Sequence, residues 1–142
     1  MYFAPEVVRI FARHRQRYGH QPEAGGVLLG RRRGRHFEVL HATVPFPQDK
    51  QSRTSFVREP DGHQGTATEM WAASGGEVAY IGEWHTHPEN VPSPSGIDQR
   101  EWRRLIAKQG RNVPLVAAIV GTSSLYVALL GIRHTESLLE TT

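Results

Sequence analysis

The chain contains no cysteine. Disulfides, thiolate ligands and a cysteine nucleophile are therefore all excluded, and any metal must be held by His, Asp or Glu. An uninterrupted apolar leader is also missing, because Glu6, Arg9, Arg13 and Arg15 interrupt the apolar pattern of residues 1–16. A signal peptide is not expected, and the cytoplasm is the default location. Residues 113–132 carry no charge and approach the length of a membrane span. Their centre, Gly121-Thr122-Ser123-Ser124, is a turn cluster between two partly β-branched segments of strand length, so a buried hairpin of Leu115–Val120 and Leu125–Leu130 is predicted instead. Repeats, heptads and low-complexity tracts are absent from the sequence. At 142 residues the chain is expected to form one domain over residues 1–142, with a single core.

Against these absences stands Glu83-Trp84-His85-Thr86-His87-Pro88, followed by Pro94-Ser95-Gly96-Ile97-Asp98. Residues two apart on a strand project from the same face, so His85 and His87 can converge on one ion, and Asp98 returns after a short loop as an oxygen donor. Two imidazoles and one carboxylate fill three tetrahedral positions of Zn2+ and leave one for water, as in catalytic rather than closed structural sites. Each half has a plainer reading. An H-x-H pair is common on surfaces, and Ser95-x-x-Asp98 is also a helix capping box with its acid in the first turn. Upstream, Glu23 precedes an apolar strand in Glu23-Ala24-Gly25-Gly26-Val27-Leu28-Leu29-Gly30, where by itself it would be read as a solvated carboxylate.

Taken together, E-x-x-G-x-L-x-G, H-x-H-P, P-S-x-x-D and Trp102 four residues on resemble the JAMM/MPN zinc metalloproteases, and the resemblance runs from about Glu23 to the end. The wording around His85 looks most like compact bacterial members. The resemblance implies a cytidine-deaminase-like α/β fold, with a mixed sheet flanked by helices. It implies Glu23 as general base and acid, Ser95 as oxyanion donor, and His85, His87 and Asp98 as metal ligands. It further implies hydrolysis after the C-terminal glycine of a ubiquitin-like or sulfur-carrier protein, with activating or conjugating enzymes as possible associates. A noncatalytic MPN-type interaction module is the alternative. Ser95 can serve as helix N-cap as well, whereas Ser93 has the wrong spacing to Asp98. Glu83 shares the ligand face but not the catalytic position, and Glu89 and Glu101 read as surface charges.

Coarser features complete the picture. Helices are predicted over Pro5–Tyr18, ended by Gly19, within Gly62–Ser74 with a stripe of Ala67, Met70 and Trp71, and over Gly96–Lys108 with Ile97, Trp102, Leu105 and Ile106 inward. Strands are predicted over Gly26–Arg31, His36–Val44, Thr54–Val57 and Val78–Trp84, with irregular backbone at Pro45–Lys50. Trp84 and Thr86 should face away from the histidines, and both Trp84 and Trp102 should pack in the core. An extended substrate tail is expected to add as a strand beside the metal, between walls at Pro45–Arg58 and Glu89–Pro94. The net charge of +3 gathers at Arg31, Arg32, Arg33 and Arg35. No motif converts this charge into base reading, so a solvated edge is expected rather than a nucleic-acid surface.

Overall fold

The computed structural model describes residues 1–18, 20–34, 36–45, 50–51, 56–57, 60–109, 113–131 and 135–141, of which 50–51, 56–57, 60–62 and 135–141 are described in backbone only. The elements in chain order are β1 (Tyr2–Phe3), α1 (Pro5–Arg13), β2 (Gly25–Arg33), β3 (His36–Ala42), β4 (Lys50–Gln51), β5 (Phe56–Val57), α2 (Pro60–Ala73), β6 (Ala79–Thr86), α3 (Gly96–Gln109), β7 (Leu115–Val120), β8 (Ser124–Leu130) and β9 (Thr135–Thr141). Seven strands form one sheet in the order β1-β3-β2-β6-β7-β8-β9, and β4 pairs with β5 separately. Two neighbouring pairs, β1 with β3 and β6 with β7, are parallel, and the others are antiparallel. The sheet is therefore mixed, as expected.

Side-chain alternation sorts the core into layers. On the fully buried strand β7, Val116, Ala118 and Val120 join a cluster with Val7 and Phe11 of α1. The intervening Leu115, Ala117 and Ile119 pack with Trp102 of α3, against which Leu105 and Ile106 also rest. Ala67 and Met70 of α2 pack on Val27, Leu29 and Val78. Helix α1 thus covers one face, while α2 and α3 cover the other. At the sheet centre β6 and β7 approach so closely that a Cβ on Gly82 would collide with the Val116 carbonyl, which is why a strand interior tolerates glycine here. Helix α2 ends in a Schellman arrangement: Gly76 N–H donates to Trp71 O at 2.8 Å, Gly75 N–H to Ala72 O at 3.2 Å, and Gly75 has φ 69°.

Several expectations need correction. Helix α1 stops at Arg13, short of Tyr18, and His14 caps it. The chain leaves the helix because Arg15 and Gln16 turn inward and are buried. Residue 19, expected to terminate that helix, lies outside the described residues. Trp71 and Ile97 are exposed rather than inward, at 55% and 65%. Ile97 sits about 140° around the helix from Trp102 at 100° per residue, off the buried stripe. Trp71 instead covers the Gly75–Gly76 turn, where its ring lies 3.4 Å from the place a Gly76 Cβ would take. Strand β6 runs through His85 to Thr86 rather than ending at Trp84, and β3 ends at Ala42. Of the expected strand Thr54–Val57, Phe56–Val57 is observed, while residues 54–55 lie outside the described set. Arg31 and Arg33 of the basic hairpin pair with Glu38 at 3.2 and 2.8 Å, and Arg35 is outside the described residues. No helix among the described residues is long and apolar enough to cross a membrane.

Candidate metal centre

Strand β6 carries the histidines between two neighbours, with His85 paired to Gly25 of β2 and to Ile119 of β7. Ile119 belongs to the α3 side, so His85 projects onto the face covered by α2 and α3. His87 lies one residue past the strand, where its N–H donates to Val120 O at 3.0 Å and extends the β6–β7 pairing. The alternate residues face away, as expected. Trp84 is 1% exposed, packs at a tilt against Phe11 with ring centroids 5.2 Å apart, and donates its indole N–H to Thr43 O at 2.9 Å. Trp102 is likewise buried and lies parallel to Tyr126.

The expected ligands converge. His85 Nε2 and His87 Nε2 are 3.1 Å apart. Asp98 Oδ1 lies 3.2 Å from His85 Nε2, and Asp98 Oδ2 lies 3.3 Å from His87 Nε2. Donors bound to one zinc at about 2.0–2.1 Å in tetrahedral directions stand about 3.3–3.4 Å from each other. The separations are of that size, with Asp98 meeting His85 through Oδ1 and His87 through Oδ2, and the N2O chemistry of the three side chains suits a divalent ion of borderline softness.

Glu23 is the competing third donor, since its carboxylate also lies within 4.8 Å of the histidine nitrogens. Asp98 is in direct contact with both Nε2 atoms, at 3.2 and 3.3 Å, which favours it as ligand. Charge state separates the two acids as well. Burial raises the Glu23 pKa; the two histidines oppose this and Asp98 adds to it, so the group is held above its ordinary value. Burial would raise Asp98 too, but hydrogen bonds from His85 and His87, the charge of His85, and the Ser95 N–H hold it far below the usual carboxylate range. The two acids are thus shifted in opposite directions. For His87, burial acts downward, but the bond and charge of Asp98, with Glu89 adding, carry its pKa upward.

Ser95 and Asp98 form a reciprocal capping box at the start of α3. Asp98 N–H donates to Ser95 Oγ at 3.0 Å, and Ser95 N–H donates to Asp98 Oδ2 at 2.8 Å. The plain and functional readings of this pair thus coexist, because the cap that starts the helix also aims the carboxylate at the histidines. Ser95 is exposed, and with Oγ accepting the helix N–H its hydroxyl proton can serve another acceptor. Glu83 is engaged by the Tyr80 hydroxyl, which donates to it at 2.9 Å.

Glu89 is not the bare surface charge expected from sequence. Its Oε1 lies 3.0 Å from His87 Nδ1. With the Nδ1 proton donated to Glu89, the Nε2 lone pair is left to face a metal, an assignment inferred from the network. Spacing alone gave no sign of this contact, because it needs the chain to turn after Pro88. The turn is held from outside: Thr122 N–H donates to Glu89 O at 2.8 Å, and the Ser123 and Ser124 hydroxyls donate to Asn90 O at 3.1 and 2.6 Å. Glu101 does behave as a surface charge, paired with Arg104.

The expected strand addition meets an obstacle, since β6 is flanked by β2 and β7 and offers no free edge to a tail. Within Pro45–Arg58, residues 46–49, 52–55 and 58 lie outside the described set.

Comparison with known proteins places this geometry in context. The family of prokaryotic homologues of the JAB domain matches residues 4–134. A Pseudomonas aeruginosa protein named CD-NTase/cGAS isopeptidase is 45% identical over 130 residues, covering 92% of this chain and 82% of that protein. An Escherichia coli protein of the same name is 36% identical over 123 residues, covering 86% and 76%. A solution structure of a Desulfitobacterium hafniense protein superposes with a TM-score of 0.66 at 22% identity, covering 97% of this chain and 90% of that one, a likeness of fold.

Proposed function

The chain belongs to the prokaryotic homologues of the JAB domain, and from that membership we propose that it is a zinc-dependent isopeptidase that hydrolyses the amide bond after the C-terminal residue of a conjugated protein. The observation that carries this reading is the close approach of His85 Nε2, His87 Nε2 and the Asp98 carboxylate, at 3.1 to 3.3 Å, with the Glu23 carboxylate beside them. When bound, zinc supplies a Lewis acid and a water acidic enough to lose its proton near neutral pH. The protein does the rest. Glu23, with its pKa raised by burial, takes the proton of the attacking water and returns it to the departing lysine amine. Ser95 donates its hydroxyl proton to the oxygen that becomes negative as the amide carbonyl turns tetrahedral. Asp98 supplies the third ligand, and Glu89 holds the His87 imidazole by its Nδ1 with Nε2 toward the ion.

The names of the Pseudomonas and Escherichia relatives support a nucleotidyltransferase of CD-NTase/cGAS type as the conjugated protein. A ubiquitin-like or sulfur-carrier protein ending in glycine is the second substrate class, supported by the resemblance of the motifs to the wider JAMM group. In either case the enzymes that form the conjugate are natural partners, and the cytoplasm is the proposed compartment. The test uses zinc-loaded protein and two sets of conjugates, one with a CD-NTase C-terminus and one with a glycine-ended ubiquitin-like tail, each joined to lysine. Cleavage of the first set by wild type, abolished in Glu23→Gln, is the expected result. Cleavage of the second set alone would replace the substrate, and cleavage of neither would leave a noncatalytic interaction module.

A further inference from the structure

Between the two histidines, Thr86 points through the sheet to the side opposite the metal face and is fully buried. Its hydroxyl accepts the Ala24 N–H at 2.9 Å and donates to Gln16 Oε1 at 2.8 Å. Its own backbone N–H donates to Ala24 O at 2.9 Å. Gln16, 1% exposed, donates from Nε2 to Gln21 O at 3.2 Å. The directions are mutually forced. A carbonyl can only accept, so the amide nitrogen of Gln16 faces Gln21 and its oxygen faces Thr86, which leaves the Thr86 oxygen to accept from Ala24.

The placement matters because β2 begins at Gly25. Glu23 precedes the strand ladder, and regular pairing with β6 does not fix its backbone. The two hydrogen bonds between Ala24 and Thr86 prolong the pairing by one residue, and Gln16 braces the segment two residues before Glu23. We propose that Thr86 and Gln16 are positioning residues that set the reach of the Glu23 carboxylate to the histidine pair from the far side of the sheet. The threonine of H-T-H thereby couples the base to the ligands: its neighbours on either side are the two imidazoles, and its hydroxyl holds the residue next to Glu23. This inference rests on the reading of Glu23 as the group that moves the proton.

The test compares Thr86→Val, which keeps the shape and loses the hydroxyl, with Thr86→Ser, which keeps the hydroxyl. Gln16→Met removes the brace from its other end and serves if the valine variant does not fold. Each is measured for kcat and KM separately, for zinc affinity by chelator competition, and for hydrogen exchange at the Ala24 amide. In Thr86→Val, kcat is expected to fall roughly 10- to 100-fold, the scale of a misplaced reacting group. KM and zinc affinity should hold, the Ala24 amide should exchange faster, and Thr86→Ser should recover most of the rate. Gln16→Met should change the same quantities in the same direction. Wild-type kcat in Thr86→Val, a serine variant as slow as the valine one, or a rate loss matched by lost zinc affinity would each overturn the proposal. Glu23→Gln separates the two layers. If it is inactive while Thr86→Val is unaffected, only the positioning role fails; if it is active, the proton-transfer reading falls and takes this inference with it.

Discussion

Truncating Glu89 to alanine tests how far the metal centre depends on a residue outside the ligand set. The change removes a carboxylate 3.0 Å from His87 Nδ1 and leaves the loop backbone anchored by Thr122 and the hydroxyls of Ser123 and Ser124. The loss should therefore be confined to the orientation and basicity of one imidazole. Removing such partners of ligating histidines typically weakens metal binding 10- to 100-fold. The Glu89 side chain is 49% exposed, so water and salt screen its charge and place the effect at the lower end, near tenfold or about 1.4 kcal/mol. Glu89→Gln retains an acceptor for the Nδ1 proton and should lose less. The assay is competition for zinc against a chromophoric chelator at two salt concentrations, and the gap between wild type and Glu89→Gln should shrink in high salt. Wild-type affinity in Glu89→Ala, or an equal loss in the glutamine variant, would refute this account of His87.

Other perturbations probe separate parts of the structure. Ser95→Ala removes an N-cap worth about 1 kcal/mol and an oxyanion donor worth about 100- to 1,000-fold in kcat, so melting should shift slightly while turnover collapses; a small shift with normal turnover would leave Ser95 as a cap alone. Gly82→Ala presses a methyl onto the Val116 carbonyl, which no rotamer change relieves, and should destabilise by about 3 kcal/mol or more in denaturant melts. In the chelated protein the joint contribution of Asp98 and His87 should be greatest between the unfolded pKa values of Asp and His, about 3.9 and 6.5, while that of Glu23, whose folded pKa is raised, declines as pH rises through the same window. The contribution of Asp98, whose folded pKa is depressed, is lost as pH falls below that window, and that of His87, whose folded pKa is raised, is lost as pH rises above it. A melting temperature independent of pH in chelator would contradict both shifts.

The parts legible in the sequence were those that depend on neighbours along the chain. The pair His85 and His87 needs only the two-residue repeat of a strand, the Ser95–Asp98 box needs one helical turn, and the Leu115–Leu130 hairpin announces itself by its central turn. What escaped depends on partners far away. Arg15 and Gln16 look like the solvent side of a lengthening helix until Gln16 is seen to meet Thr86 and Arg15 to approach the Gly121 carbonyl. Glu89 looks like a loose charge until the turn at residues 121–124 is seen to hold its loop against His87. Trp71 carries an apolar signature yet covers a glycine turn at the surface, and β9 pairs along the whole of β8 without a local pattern strong enough to declare it. The contrast between Glu23 and Asp98, one carboxyl raised by burial and the other depressed by the histidines, is likewise set by partners far along the chain and has no local signature.

Zinc content after reconstitution and dialysis, compared among wild type, Asp98→Ala and Glu23→Gln, decides whether these residues form the centre described. Wild type and Glu23→Gln should each retain a single zinc per chain, and Asp98→Ala should retain almost none. A wild-type chain that emerges without metal, or zinc kept by Asp98→Ala and lost by Glu23→Gln, would contradict the assignment of ligand and base.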